Sequence, residues 1–297
     1  MSIWKKKLSL LLLFQILLAG GLWAWTYNER AQSTTTQELL AFDTSEVTKV
    51  ELLEQDRSLI LSLEEGDWVL PDHHSLPAEG ERVQKLLNSL RELQSNFPET
   101  TSSSAHQRLG LSEDKPEGRV KLYAGEKLVG DLLLGSIPSF GQRYVRLGDQ
   151  NEAYRIRWQT INTQASSRAW LDSALLAVES PQRIELPKLT LQLQEGKWFS
   201  GQDELDPAKA NALIDKIRKL SVIDVANEVE PSSPIEVRVE GAQGEAYTYS
   251  FFEKDGKHYV MRDNLGQAFQ TSSEISKALL EADLSRLKEQ PKTEKSS

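Results

Sequence analysis

The chain has 297 residues and 33.5 kDa, room for two domains, and its 39% hydrophobic and 27% charged content is that of a chain that folds. It has no cysteine, which excludes disulfides, thiolate metal sites, iron–sulfur clusters, a cysteine nucleophile and the lipidated cysteine of a lipoprotein. Thirty-five Lys and Arg against 44 Asp and Glu give a formal charge of −9, which argues against nucleic acid as a main partner.

In chain order, Lys5, Lys6 and Lys7 (residues 1–7) precede an uncharged run from Leu8 to Trp25. As a helix its 18 residues would measure about 27 Å, close to the roughly 30 Å of bilayer hydrocarbon. A cleaved signal peptide is the competing reading. It calls for a shorter apolar core and a small-x-small site, whereas Trp23, Trp25 and Tyr27 are bulky here and suit the membrane–water interface. The run is therefore expected to be an uncleaved anchor (residues 8–27), with the lysines holding the N-terminus in the cytoplasm and the bulk of the chain on the far side of the membrane. Beyond residue 30 the chain carries a net −12, so the ectodomain is expected to stand off an anionic membrane surface.

Residues 28–40 are mostly polar and read as a tether. The segments that follow resemble each other. Glu65-Gly66-Asp67-Trp68 recurs as Glu195-Gly196-Lys197-Trp198 at an offset of 130, which also carries Val83, Leu87 and Leu90 onto Leu213, Ile217 and Leu220. At an offset of 115, Tyr144-Val145 maps to Tyr259-Val260 and Ala153-Tyr154 to Ala268-Phe269. Two tandem repeats are expected, residues 41–177 and 178–287, followed by a disordered tail at 288–297. Trp68 with Trp198, and Tyr144 with Tyr259, are the expected equivalent core positions.

Within the first repeat, alternation predicts strands at 47–53 and 58–63, a turn at 65–67 and a strand at 68–70. A helix follows over 79–94, where Val83, Leu86, Leu87 and Leu90 share one face. Residues 97–118 read as loop, strands resume at 119–123, 127–134, 143–147 and 153–156, and a second helix is expected at 160–176. The second repeat predicts strands at 183–186, 190–193 and 197–200, then a helix over 208–220 with Asp206 as cap and Pro207 as its first residue. Strands at 235–240, 246–253, 258–262 and 268–270 and a helix at 273–282 complete it. The fold class is α+β: an N-terminal transmembrane helix, then two repeats, each a mostly antiparallel sheet with one or two helices.

Chemistry-bearing motifs are weak. His73 and His74 are adjacent and cannot form an i, i+4 metal pair, and His106 and His258 stand alone. Ser112-Glu113-Asp114-Lys115 matches S-x-x-K without its partner motifs, and Gly130 to Ser136 imitates a phosphate loop without its lysine. No catalytic, metal or cofactor-binding residue and no cofactor is assigned.

The strand pair, E-G-D-W-V-L, the V-x-x-L-L-x-x-L helix, the Leu109-Gly110-Leu111 turn with Pro116, and the runs G-Q-R-Y-V-R-L-G-D and A-Y-R-I together resemble a bacterial envelope family, domain of unknown function 4340. The resemblance implies a neighbourhood of gliding-motility-type ABC transport components and supplies no catalytic residue. The expected function is that of a non-enzymatic, single-pass protein of the bacterial inner membrane, an accessory or interaction component of an ABC-type transport or cell-envelope assembly. Its expected partners are the inner membrane and membrane proteins of that system. An envelope ligand- or glycan-binding module with a pocket between the repeats is the alternative.

Overall fold

A computed structural model of the chain describes residues 37–226 and 229–288. The apolar run with Lys5, Lys6, Lys7, Leu8, Trp23 and Trp25 lies outside the described residues, as does the tail beyond Lys288. Among the described residues no helix is long and apolar enough to cross a membrane.

The chain forms β1 (Gln37–Glu38), β2 (Lys49–Glu54), β3 (Arg57–Glu64), β4 (Asp67–Leu70) and β5 (Leu76–Pro77), then the helix Gly80–Arg91. Next come β6 (Gln94–Ser95), a short helix His106–Leu109, β7 (Gly118–Ala124), β8 (Lys127–Leu134), β9 (Gln142–Leu147), β10 (Ala153–Arg157) and a one-turn helix Ser167–Trp170. The later part holds β11 (Pro181–Leu186), β12 (Leu189–Gln194), β13 (Lys197–Ser200), β14 (Asp203–Glu204), the helix Pro207–Arg218 and β15 (Asp224–Ala226). It ends with β16 (Ile235–Gly241), β17 (Ala246–Lys254), β18 (Lys257–Arg262), β19 (Ala268–Thr271) and the helices Ser273–Leu280 and Leu284–Leu287. The described residues divide into two compact units, 37–60 with 84–165, and 61–83 with 166–288.

The two large sheets are antiparallel and share one plan. The first has the order β10-β9-β8-β7-β2-β3-β4-β5, the second β14-β13-β12-β11-β16-β17-β18-β19-β15. In both, a four-strand meander, a 12-residue helix and a second four-strand meander follow in sequence, and the first strands of the two meanders pair at the centre. Equivalence extends to register. Leu63 opposes Trp68 as Leu193 opposes Trp198, and Val145 opposes Tyr154 as Val260 opposes Phe269. The two α+β sheets with few helices thus agree with a duplicated chain.

Local chemistry explains the meanders. Glu65-Gly66, Glu195-Gly196 and Asp255-Gly256 all have positive φ at both positions, the two-residue turn whose twist matches that of the flanking strands. Alternating residues then bury one face: Val50 and Leu52 on β2, Val120 and Leu122 on β7, Val237 and Val239 on β16 are at most 1% exposed. On the first long helix Val83, Leu86, Leu87 and Leu90 are buried, and on the second Ala210, Leu213, Ile214 and Ile217. The second begins as its sequence predicts: the Asp206 side chain accepts from the Lys209 N–H at 3.0 Å, and Pro207 takes the first turn.

The helix expected over 160–176 is a single turn, Ser167–Trp170. The backbone beyond it is engaged elsewhere: the Glu79 N–H donates to the Trp170 carbonyl, Leu171 bridges Ala78, and the Asp172 N–H donates to the Pro77 carbonyl. These bonds compete with helical ones and end the helix. The second copy repeats the device, with the Asp206 N–H donating to the Leu287 carbonyl at the end of Leu284–Leu287.

A Cβ at Gly66 or Gly196 would meet nothing within 4 Å, so an alanine there costs only backbone strain at φ +101 and +80. Gly66→Ala and Gly196→Ala should each lower stability by about 1–2 kcal/mol, read as a shift in the urea midpoint. Equal losses from the two variants are expected from equivalent turns.

Candidate functional site

The equivalent residues sit in matching places. Trp68 and Trp198 are 9% and 7% exposed, and each carbonyl accepts a backbone N–H from the segment entering the next helix, Ala78 to Trp68 and Leu205 to Trp198. Tyr144 packs on the cluster of Leu109, Leu111, Leu133 and Ala153, while Tyr259 packs with Phe252 and Ala268. Trp68, Trp198 and Tyr259 are buried, and Tyr144 is partly buried.

The histidines stay apart. His74 adopts a left-handed conformation after the 3-10 turn Pro71–His73, and buried His106 shares a hydrogen bond between Nε2 and the Asn151 carbonyl at 2.8 Å. Among the described residues no three His, Asp or Glu side chains gather closely enough to hold a metal ion.

The strongest polar constellation escaped the sequence reading. The helix His106–Leu109 ends at Gly110, φ +71, and the Leu111 N–H returns to the His106 carbonyl. This turn is clamped by Arg146, which is 5% exposed. Its Nε and Nη2 both donate to the Leu111 carbonyl at 3.3 Å, and Nη1 donates to the carbonyls of Leu147, Gly148 and Gln150. Nη2 also reaches Glu113 Oε2 at 2.7 Å. Glu113 Oε1 in turn meets Arg119 Nη1 at 2.6 Å, and Arg119 forks onto Asp131 at 2.7 and 2.6 Å. Charges alternate along Arg146–Glu113–Arg119–Asp131, and planar guanidinium forks hold them.

The site allows little side-chain freedom. Burial pushes the Glu113 carboxyl up, but the hydrogen bonds from Arg146 and Arg119 outweigh it and hold the carboxyl below its ordinary value. The bond to Asp131 chiefly raises the Arg119 guanidinium. Gly135 has no room for a Cβ, which would strike the Leu109 carbonyl, and the Ser136 N–H donates to that same carbonyl at 2.8 Å. Every charge in the set is matched by another, so the arrangement fixes loop shape. The only sequence signal was Arg146 beside Val145 in a strand, a cation where β9 turns to the core.

There are open grooves within each unit. One of about 480 Å³ is lined by Leu39, Leu40, Leu128, Asp131, Leu147 and Gly148. Another, of about 790 Å³, is lined by Glu64, Glu65, Asp67, Trp68 and Asp172 among others.

Arg146→Met should destabilise the protein by about 3 kcal/mol, because it strands the buried carbonyls that Arg146 satisfies. Glu113→Gln should cost less and in a pH-dependent way. A carboxyl held low in the folded state stabilises above its unfolded value, near 4.3, and that contribution vanishes as pH falls through the lowered value. The gap in melting temperature between wild type and Glu113→Gln should therefore be open at pH 7 and close on acidification.

No curated protein and no solved structure matches the chain. The family model described as domain of unknown function (DUF4340) matches residues 68–238, a span that holds Trp68, Trp198 and the whole Arg146 clasp. With more than half of its length matched, the chain belongs to the DUF4340 family.

Proposed function

We propose that this chain is a non-catalytic, single-pass protein of the bacterial inner membrane whose ectodomain faces the periplasm. There it serves an ABC-type transport or cell-envelope assembly as an accessory or interaction component. The observation that carries the reading is an uncharged 18-residue run behind three lysines, joined by a short tether to an ectodomain of duplicated antiparallel sheets. A tether raises the local concentration of such a module at a membrane partner, so weak contacts suffice.

The contact surface we assign is the β10 edge. Tyr144 on β9 sends its N–H and carbonyl to Ser136 and Gly135, so Arg155 opposite it turns its own backbone groups outward. Thr100 covers the same edge at Ala153, which leaves Arg155 and Arg157 open to an added strand. β5, β14 and β15 offer only two or three residues.

Cross-linking followed by purification in mild detergent should recover an ABC-type transport subunit with the wild-type chain. Arg155→Pro, which removes one outward N–H from an edge, should lose that subunit while keeping its circular dichroism spectrum. Recovery of no transport or envelope subunit would overturn the reading, as would cytoplasmic fluorescence from a reporter fused after Ser297.

A second reading, an envelope ligand- or glycan-binding module, is favoured by the Trp68 groove, whose rim holds Glu64, Glu65, Asp67 and Asp172. Calorimetry with soluble envelope glycan fragments decides it. Saturable heat that an Asp67→Asn, Asp172→Asn variant loses would support this reading, and absence of heat would remove it.

A further inference from the structure

The loop between β8 and β9 presents apolar side chains to water. Phe140 is 98% exposed and Ile137 63%, at the tip of Ser136-Ile137-Pro138-Ser139-Phe140-Gly141. The loop is held, not slack: the Gly135 N–H donates to the Tyr144 carbonyl, Tyr144 N–H to Ser136, and Ser139 Oγ to Gln142 Oε1 at 2.9 Å. A single exposed apolar residue needs no explanation, but two aimed outward by a fixed loop do.

The surroundings add aromatic and cationic groups. The Trp158 N–H donates to the Gly141 carbonyl, which seats a half-buried indole at the root of the loop. The Arg143 guanidinium lies 5.6 Å from the Trp158 ring centroid, and its Nε donates to the Gly135 carbonyl. Arg157, exposed, pairs in register with Gln142 at the same root. From Gly135 to Gly148 the chain holds no acid, in a protein of net charge −9. An apolar tip, an indole below it and cations around it are the order of groups met on crossing from acyl chains to phosphates.

We propose that the Ile137–Phe140 loop inserts into the surface of the bilayer that anchors the chain, with Arg143 and Arg157 meeting lipid phosphates. The proposal rests on the anchor reading above, and chain geometry agrees with it. The groove shared by Leu39 and Leu147 places the start of the described chain at the β9–β10 turn. One six-residue strand, about 20 Å, separates that turn from the loop. The nine residues 28–36 can span at most about 30 Å. The tether therefore reaches far enough for the loop to touch the membrane. The mean acidity of the ectodomain opposes such contact, but the loop itself holds no acidic residue.

With no cysteine in the chain, Phe140→Cys gives a unique site for an environment-sensitive dye, and Gln202→Cys, exposed between β13 and β14, serves as control. Each full-length labelled chain is reconstituted into phosphatidylethanolamine–phosphatidylglycerol vesicles containing brominated acyl chains. The expected result is blue-shifted, bromine-quenched emission at 140 and water-like, unquenched emission at 202. Adding Arg157→Gln, or replacing phosphatidylglycerol by phosphatidylcholine, should weaken the quenching at 140. A chain that floats with vesicles yet is quenched no more at 140 than at 202 overturns the proposal and leaves the anchor standing. So does a dye at 140 that shifts only when a partner protein is added. A chain that does not float overturns both.

Discussion

Everything in each sheet depends on one antiparallel pairing, between the first strand of its first meander and the first strand of its second. In the first sheet Val50 opposes Leu122 and Leu52 opposes Val120; in the second Ile184 opposes Val239. These residues point to the buried face, so a slip of one residue would turn the whole apolar set to solvent. The central pair therefore fixes the register from which both meanders grow outward. Because these strands lie more than 50 residues apart in sequence, the intervening helix must form and dock as part of the same event.

Duplication follows readily from such a plan. A meander adds strands one hairpin at a time, and two-residue glycine turns need no partner beyond the strands they join. Copying the unit copies its requirements: a tryptophan whose carbonyl catches the chain ahead of the helix, and a helix entry whose N–H finds the carbonyl closing a later one-turn helix. The second copy changes the fittings and keeps the plan. Its post-helix segment pairs as a strand, Ala226 opposite Ala268, where the first copy makes a single bridge from Thr100 to Ala153.

What the sequence revealed were features with a local cause. Alternation, the Glu-Gly turns, the i, i+3, i+4 stripe of Val83, Leu86 and Leu87, and the Asp206-Pro207 helix start all act over a few residues, and each stands where it was read. What it hid has distant causes. The strands β5 and β14 are two residues long and exist because neighbours supply hydrogen bonds, not because Leu76-Pro77 or Asp203-Glu204 favour extension. Residues 160–176 carry a helical pattern that loses to bonds with residues 77–79. The Arg146 clasp joins residues 111 to 150 through side-chain geometry that no spacing rule encodes.

The clasp ties together residues that the chain keeps far apart. Leu109-Gly110-Leu111, Arg119, Asp131 and Arg146-Leu147-Gly148 are far apart in sequence yet mutually dependent. Arg146 needs the carbonyls of residues 111 and 147–150, and Glu113 needs both arginines. Gly148 leaves space for Asp131, since a Cβ there would strike its carboxylate. Removing Arg146, which is 5% exposed, strands the carbonyls it satisfies, where an unpaired buried group is costly. Such a set resists piecemeal change for reasons of packing and charge alone. It also fixes the root of the β8–β9 loop, where the Ser136 N–H donates to the Leu109 carbonyl, and beyond that root the loop carries its apolar side chains outward.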